Sequence, residues 1–242
     1  MAIATTASYT QTRDEAIAFA LHRLNMFDIN VTPDATTIQF CSDTLNQLLK
    51  HLQTKGIKLW SVTELTVPLT AAKNSYILSP TGDFVTNKPL RMIQAFIRNN
   101  AVTPALDIPL RIISQEEYNR LGSKGSTGIT NSVYMEVLRD TAVLHTFLTP
   151  DTFTATNYSL HIIVQLPVAD MTLSTSNFDF PNEWLYAVGW KLAAELAVPF
   201  GLPQEKVAVV EQKAMQALDE IEGWDREWAS TFFIPDQRYG VR

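Results

Sequence analysis

The sequence predicts an α+β fold, mainly helical, in which a four-helix bundle is interrupted by an antiparallel β-module and followed by an extended C-terminal tail. Three observations predict this architecture. Helical periodicity is confined to the two ends of the 242-residue chain, short alternating segments fill the middle, and the residues after 223 soon lose both patterns. The hydrophobic fraction of 46% and the charged fraction of 18% are typical of a globular protein and exclude a disordered one.

Two amphipathic helices are predicted before the β-module. The first runs from Asp14 to Leu24, and Thr12 with Glu15 predicts a capping box at its start. The second begins near Thr32 with Pro33 in its first helical position, and Gly56 ends it. Its apolar residues recur every three or four positions and define the buried stripe Ile38, Cys41, Leu45, Leu48 and Leu52.

Short strands are predicted between residues 60 and 166. Their residues alternate in polarity or are β-branched, and proline, glycine and serine separate them. The predicted strands are 60–69, 75–78, 91–98, 110–114, 132–138, 143–148 and 158–166. One helical turn is expected after Ser114, and the glycine-rich segment 122–130 is predicted to be a loop.

Helical periodicity returns in two further helices, over 181–198 and from Gln204 onward. Together the patterns predict three regions. Residues 1–57 and 180–223 form the helical bundle, residues 58–179 form the β-rich insert, and residues 224–242 form the extended tail.

The order of these segments resembles the head-to-tail adaptor family of short-tailed bacteriophages, the tail accessory or packaged-DNA-stabilisation proteins. The similarity depends on an ordered set of segments rather than on one motif. These segments are 45–60, from Leu45-Asn-Gln-Leu-Leu to Lys-Leu-Trp60, then 67–78, 82–84, 88–92, 112–118 and the helix 180–201, which starts Phe180-Pro-Asn-Glu-Trp.

The resemblance implies a structural protein of the virion at the head–tail junction, assembled in the host cytoplasm. In this family a ring, usually of twelve copies, lies below the portal protein, retains the packaged DNA and provides a platform for a downstream nozzle or hub protein. The packaged double-stranded DNA would pass through the channel without sequence-specific binding. The C-terminal segment would reach along the portal, and no enzymatic activity or cofactor is expected.

The C-terminal segment contains the candidate portal-binding residues. Aromatic side chains bury a large area when they dock on another subunit, and arginines can pair with acidic groups there. The candidate set is Trp224, Trp228, Phe232, Phe233, Arg238, Tyr239 and Arg242. The alternative is that these aromatic residues fold back onto the bundle of the same chain.

The last predicted helix has an acidic face that contains Glu211, Asp219 and Glu222. If this face lined a DNA channel, it would repel phosphates and allow the genome to slide. A solvated outer helix face is the favoured interpretation, so the position of these residues in the channel stays open.

The sequence indicates no catalytic, cofactor or metal site. The single cysteine, Cys41, excludes a disulfide framework and a multi-cysteine zinc site, and its place on an apolar stripe predicts a buried thiol. Glu195 is interpreted as the partner of Lys191 rather than as a general acid. The four histidines are far apart and fit no metal motif: His22, His51, His145 and His161.

Charge and hydropathy exclude further classes of protein. The net charge of −6 argues against a surface that coats nucleic acid. No segment is apolar enough to predict a membrane span or a signal peptide. Two rival functions remain, a cell-wall-hydrolysing accessory protein and a glycan- or receptor-binding β-module on a helical stalk.

Overall fold

Six helices and nine strands make up the described part of the chain. The structure is a computed structural model, and it describes residues 9–27, 31–55 and 61–225. The helices are α1 (Arg13–Arg23), α2 (Ala35–Thr54), α3 (Gln115–Arg120), α4 (Thr152–Asn157), α5 (Trp184–Ala197) and α6 (Gln204–Trp224). The strands are β1 (Val62–Pro68), β2 (Ser75–Ser79), β3 (Phe84–Val85), β4 (Arg91–Asn99), β5 (Leu106–Pro109), β6 (Arg111–Ile112), β7 (Ser132–Val137), β8 (Ala142–Phe147) and β9 (Tyr158–Gln165). This composition confirms a mixed α+β fold.

The N-terminal ends of the first two helices are fixed by side-chain caps. The capping box of α1 is confirmed, since the Thr12 amide donates to Glu15 Oε2 at 2.8 Å and the Glu15 amide donates to Thr12 Oγ1 at 3.4 Å. The predicted start of α2 at Pro33 is wrong. Asp34 is the N-cap, and its carboxylate accepts from the Thr37 amide at 3.3 Å. Hydrogen bonds from the Thr36 and Thr37 hydroxyls lower the pKa of Asp34 to about 2.

The four long helices share one hydrophobic core. Helix α5 contacts α1, α2 and α6, and it supplies more buried residues to their shared core than any other helix. The predicted stripe of α2 is confirmed from Cys41 to Leu52, with Ile38 packed at its margin. Helices from both ends of the sequence therefore bury their apolar faces against each other.

Residues 62–165 form two sheets that share a second core. The first sheet has the strand order β1–β9–β4–β5, and its neighbouring strands are antiparallel. The second has the order β3–β2–β8–β7–β6. Leu78 and Leu144 of the second sheet and Ile97 and Leu160 of the first are fully buried in the core between them.

The prediction that the β-module is wholly antiparallel is wrong at two sheet edges. Strands β2 and β3 are parallel, as are β6 and β7, and each pairing spans two residues. The short segment 80–83 connects β2 to β3, whereas the longer segment 113–131, which includes α3, connects β6 to β7.

The segment between β9 and α5 fastens the β-module to α2. Lys50 Nζ donates to the Val168 carbonyl at 2.9 Å, and the same ammonium lies 2.6 Å from Asp170. The Met171 amide donates to Asn46 Oδ1 at 2.8 Å. Val168 and Met171 are buried in the helical core, so the segment is part of that core.

We expect Leu45→Ala to lower the free energy of unfolding by about 2–5 kcal/mol, because Leu45 is fully buried between helices and its removal leaves a cavity. Leu173→Ala is the matched control, since Leu173 is 66% exposed and should change stability by less than about 0.5 kcal/mol. Urea unfolding of both variants measures the difference. Equal midpoints would contradict the assignment of Leu45 to the core.

Candidate interaction surfaces

The end of α6 carries the first residue of the predicted portal-binding set. Trp224 is the last residue of α6, and its side chain is 60% exposed. The sequence predicts that the extended tail begins at Trp224. The structure corrects this start, because Trp224 still belongs to the last turn of α6. Helical hydrogen bonding continues there, since the Asp225 amide donates to the Ile221 carbonyl at 2.9 Å, and Ile221 packs against the core. Six predicted residues lie outside the described residues: Trp228, Phe232, Phe233, Arg238, Tyr239 and Arg242.

Three acidic side chains project from one flank of α6. Glu211 and Asp219 are exposed and Glu222 is half-buried. At about 100° per residue, they lie within an arc of about 80° around the helix. Glu211 borders a hollow between α5 and α6 that is also lined by Lys55 and Lys191. Glu195 lines the same hollow, so two carboxylates and two ammonium groups face it and their charges balance.

Two candidate reactive groups, Glu195 and Cys41, have structural roles: one forms an ion pair and the other is buried. Lys191 Nζ lies 2.8 Å from Glu195 Oε1, which confirms the interpretation of Glu195 as one half of an ion pair. Cys41 is fully buried on α2, and burial raises the pKa of its thiol to about 11. The thiol therefore stays protonated at neutral pH and has the character of a core residue.

The described ranges contain neither a metal-ligand cluster nor a membrane-spanning helix. Within residues 9–27, 31–55 and 61–225, no three or more His, Cys, Asp and Glu side chains converge as metal ligands would. In the same ranges, no helix combines the length and hydropathy needed to cross a bilayer.

A comparison with protein families identifies the family to which the chain belongs. The model of the family described as SU10 adaptor protein matches residues 11–234. The chain belongs to this family. A comparison with curated proteins finds no match. The family match contains every helix and strand described above, and it confirms the resemblance to the head-to-tail adaptors of short-tailed phages.

Membership in the adaptor family carries coarse functional information. It supports a phage adaptor role and implies a virion component whose partners are portal and tail proteins. It suggests a structural rather than an enzymatic role.

A polar network on the first sheet of the adaptor was not predicted from the sequence. His161 Nδ1 lies 2.7 Å from Glu64 Oε1, and His161 Nε2 lies 2.9 Å from Ser159 Oγ. Glu64 is 97 residues away in sequence and becomes a neighbour only because β1 pairs with β9. A local signal was present in Ser159-Leu-His161, since strand residues two positions apart point to the same face.

We expect Cys41 of the native adaptor to react with iodoacetamide at pH 8 at least about 100-fold more slowly than in denaturant, because a raised pKa removes the thiolate and burial blocks access. The chain has one cysteine, so the mass change reports this residue alone. Equal rates in the native and denatured protein would contradict the buried-thiol assignment.

Proposed function

We propose that this adaptor is a structural head-to-tail connector subunit that forms a homo-oligomeric, dodecameric ring below the portal. The ring retains the packaged DNA and provides the platform on which the next tail protein assembles. The family match over residues 11–234 carries this proposal.

The proposed division of labour follows the three regions of the chain. The four long helices, in 1–57 and 180–223, act as a bundle, and with the β-module in 58–179 they make the body of the ring. The two separate hydrophobic cores support this division, because each gives one region a rigid surface for contacts between copies. The tail that follows α6, residues 226–242, reaches the portal.

The exposed Trp224 supports a portal contact at the end of α6. An indole that is 60% exposed offers a large apolar area at low conformational cost, which is typical of residues that dominate binding energy at interfaces. The segment that follows contains four more aromatic residues and both arginines of the portal-binding set.

We expect a chain that ends at Asp225 to remain folded but to lose co-sedimentation with portal rings, because the aromatic segment is removed. Trp224→Ala should weaken portal binding at least about tenfold. Phe153→Ala is the matched control, since Phe153 on α4 is 59% exposed and lies in the β-module. Its portal binding should equal that of the unmodified protein.

Sedimentation of each variant with purified portal measures these effects, and thermal melting verifies that each variant is folded. Normal co-sedimentation of the folded, truncated chain would overturn the portal-binding role of residues 226–242.

We also propose that the acidic flank of α6 faces the DNA channel, where its charge keeps the phosphates from adhering. The shared orientation of Glu211, Asp219 and Glu222 supports a single continuous face.

We expect particles that carry Glu211→Lys and Glu222→Lys to eject DNA more slowly, and the delay to shrink at high salt, because lysines bind phosphates. Glu220→Lys is the control, since Glu220 points about 180° away from Glu211 around α6. Time-resolved DNA release from purified particles measures the rates. Equal ejection by all three kinds of particle would contradict the channel position.

A further inference from the structure

The outer face of the first sheet carries a serine, a histidine and a glutamate in a continuous chain of hydrogen bonds. On β9, Leu160 and Ile162 point into the core, so Ser159 and His161 project from the opposite face. On β1, Val67 points into the core, and Glu64 and Thr66 lie on the same outer face as His161. Strand pairing therefore brings all three chemical groups onto one surface.

Hydrogen-bond chemistry determines which ring nitrogen of a neutral His161 carries the proton. Glu64 Oε1 lies 2.7 Å from Nδ1, and an ionised carboxylate can only accept, so Nδ1 carries the proton. Nε2 is then an acceptor, and Ser159 Oγ lies 2.9 Å from it. The side-chain Nδ2 of Asn100 donates to the same Oγ at 3.1 Å, which leaves the serine proton directed at Nε2. This tautomer is the one that accepts a proton from a nucleophilic serine.

The imidazole is held rigidly in this orientation. The Phe96 ring stacks on it with centroids 4.8 Å apart and planes 7° apart. Thr66 Oγ1 lies 3.2 Å from Nδ1, and only 5% of His161 is exposed. A base that is fixed by packing and by a carboxylate needs little reorganisation before it takes a proton.

Positive and donor groups lie beside Ser159. The Asn100 amide already reaches Oγ, so a small shift would let it donate to an oxygen that becomes negative next to that atom. Arg98 is opposite Ser159 in the pairing of β4 with β9, and its guanidinium is held by both oxygens of Asp107 at 2.6 and 2.8 Å. Hydrogen bonds from Arg98 hold the pKa of Asp107 below its usual range, so the Arg98–Asp107 pair stays charged.

We propose that Ser159, His161 and Glu64 form an acyl-transfer site that hydrolyses carboxylic esters. This activity is separate from the connector role. Nothing in the function proposed above depends on it, and it does not depend on ring formation.

In the first half of the reaction, Ser159 Oγ forms a bond to the ester carbonyl carbon while its proton passes to His161 Nε2. The carbon–oxygen bond to the alcohol then breaks, and the alcohol leaves with that proton. In the second half, water attacks the acyl-serine and gives a proton to His161, which returns it to Ser159 as the acid departs. One ester and one water give one acid and one alcohol, and Glu64 positions the imidazole throughout.

The Phe96 side chain that stacks on His161 also lines a groove of about 560 Å³. Its other lining residues are both apolar, such as Pro109 and Ile112, and polar, such as Gln94 and Asp107, and it does not include Ser159, His161 or Glu64. A small uncharged ester is therefore the appropriate first substrate.

The experiment uses the full chain, a biotinylated fluorophosphonate that captures activated serines, and p-nitrophenyl butyrate as the ester. We expect the probe to label the unmodified protein, and peptide mapping to place the label on Ser159. Ser159→Ala should lose labelling and at least about 90% of ester turnover. Ser132→Ala is the matched control, since Ser132 is a half-buried strand serine on β7, and it should retain both.

The role of Glu64 has its own readout. Glu64→Gln should slow labelling at least about tenfold, because the amide can hold the wrong tautomer of His161. Labelling of the unmodified protein should also fall as the pH is lowered, since a protonated imidazole cannot accept the serine proton. His161→Gln should abolish labelling at every pH. If the network were merely structural, the rate of labelling would have the same pH profile in the unmodified protein and in both variants.

The proposal is overturned if the probe does not label the folded protein, if the label maps to another residue, or if Ser159→Ala and Ser132→Ala have equal ester turnover. Loss of portal binding would leave these measurements unaffected, so the two proposals fail separately.

Discussion

The burial of α5 is the constraint on which the rest of the structure depends. This helix contacts the other three long helices, and Trp184, Leu192 and Leu196 on it are almost fully buried. Its approach to α1 requires a glycine, because a Cβ on Gly189 would lie 2.6 Å from the Phe19 ring. The two ends of the chain thus close on one core, although the whole β-module separates them in sequence.

The position of the β-module follows from the same core. The segment after β9 buries Val168 and Met171 among the helices before α5 begins, and Lys50 and Asn46 hold its backbone. The buried apolar residues of the two sheets pack against each other, and polar side chains such as Ser159 and His161 lie on the outer face of the first sheet. The hydrogen-bonded network around His161 lies on that outer face.

Local patterns predicted the elements that bury one face. The stripe of α2 and the alternation in β9 both identify residues that lie in the two cores, and the capping residues Thr12 and Ser114 mark true helix starts. The strand β5 was not predicted, because all four of its residues are exposed and leave no alternation to detect. The short helix α4 was not predicted either, although Asp151 supplies an N-cap whose carboxylate accepts from the Thr154 amide.

Long-range pairing sets the limit of prediction at the candidate sites. The exposure of Trp224 and the charges that surround Glu211 depend on how α6 packs against α5, and helical periodicity gives only the buried side. The contact of His161 with Glu64 depends on the register of β1 against β9, which no local pattern contains.

Electron microscopy of the purified protein mixed with the portal of the same phage tests the connector role most directly. We expect closed rings of this protein seated on one end of the portal, with density from the end of α6 continuing along the portal surface. Portal rings that remain bare at saturating concentrations of folded protein would contradict the connector role.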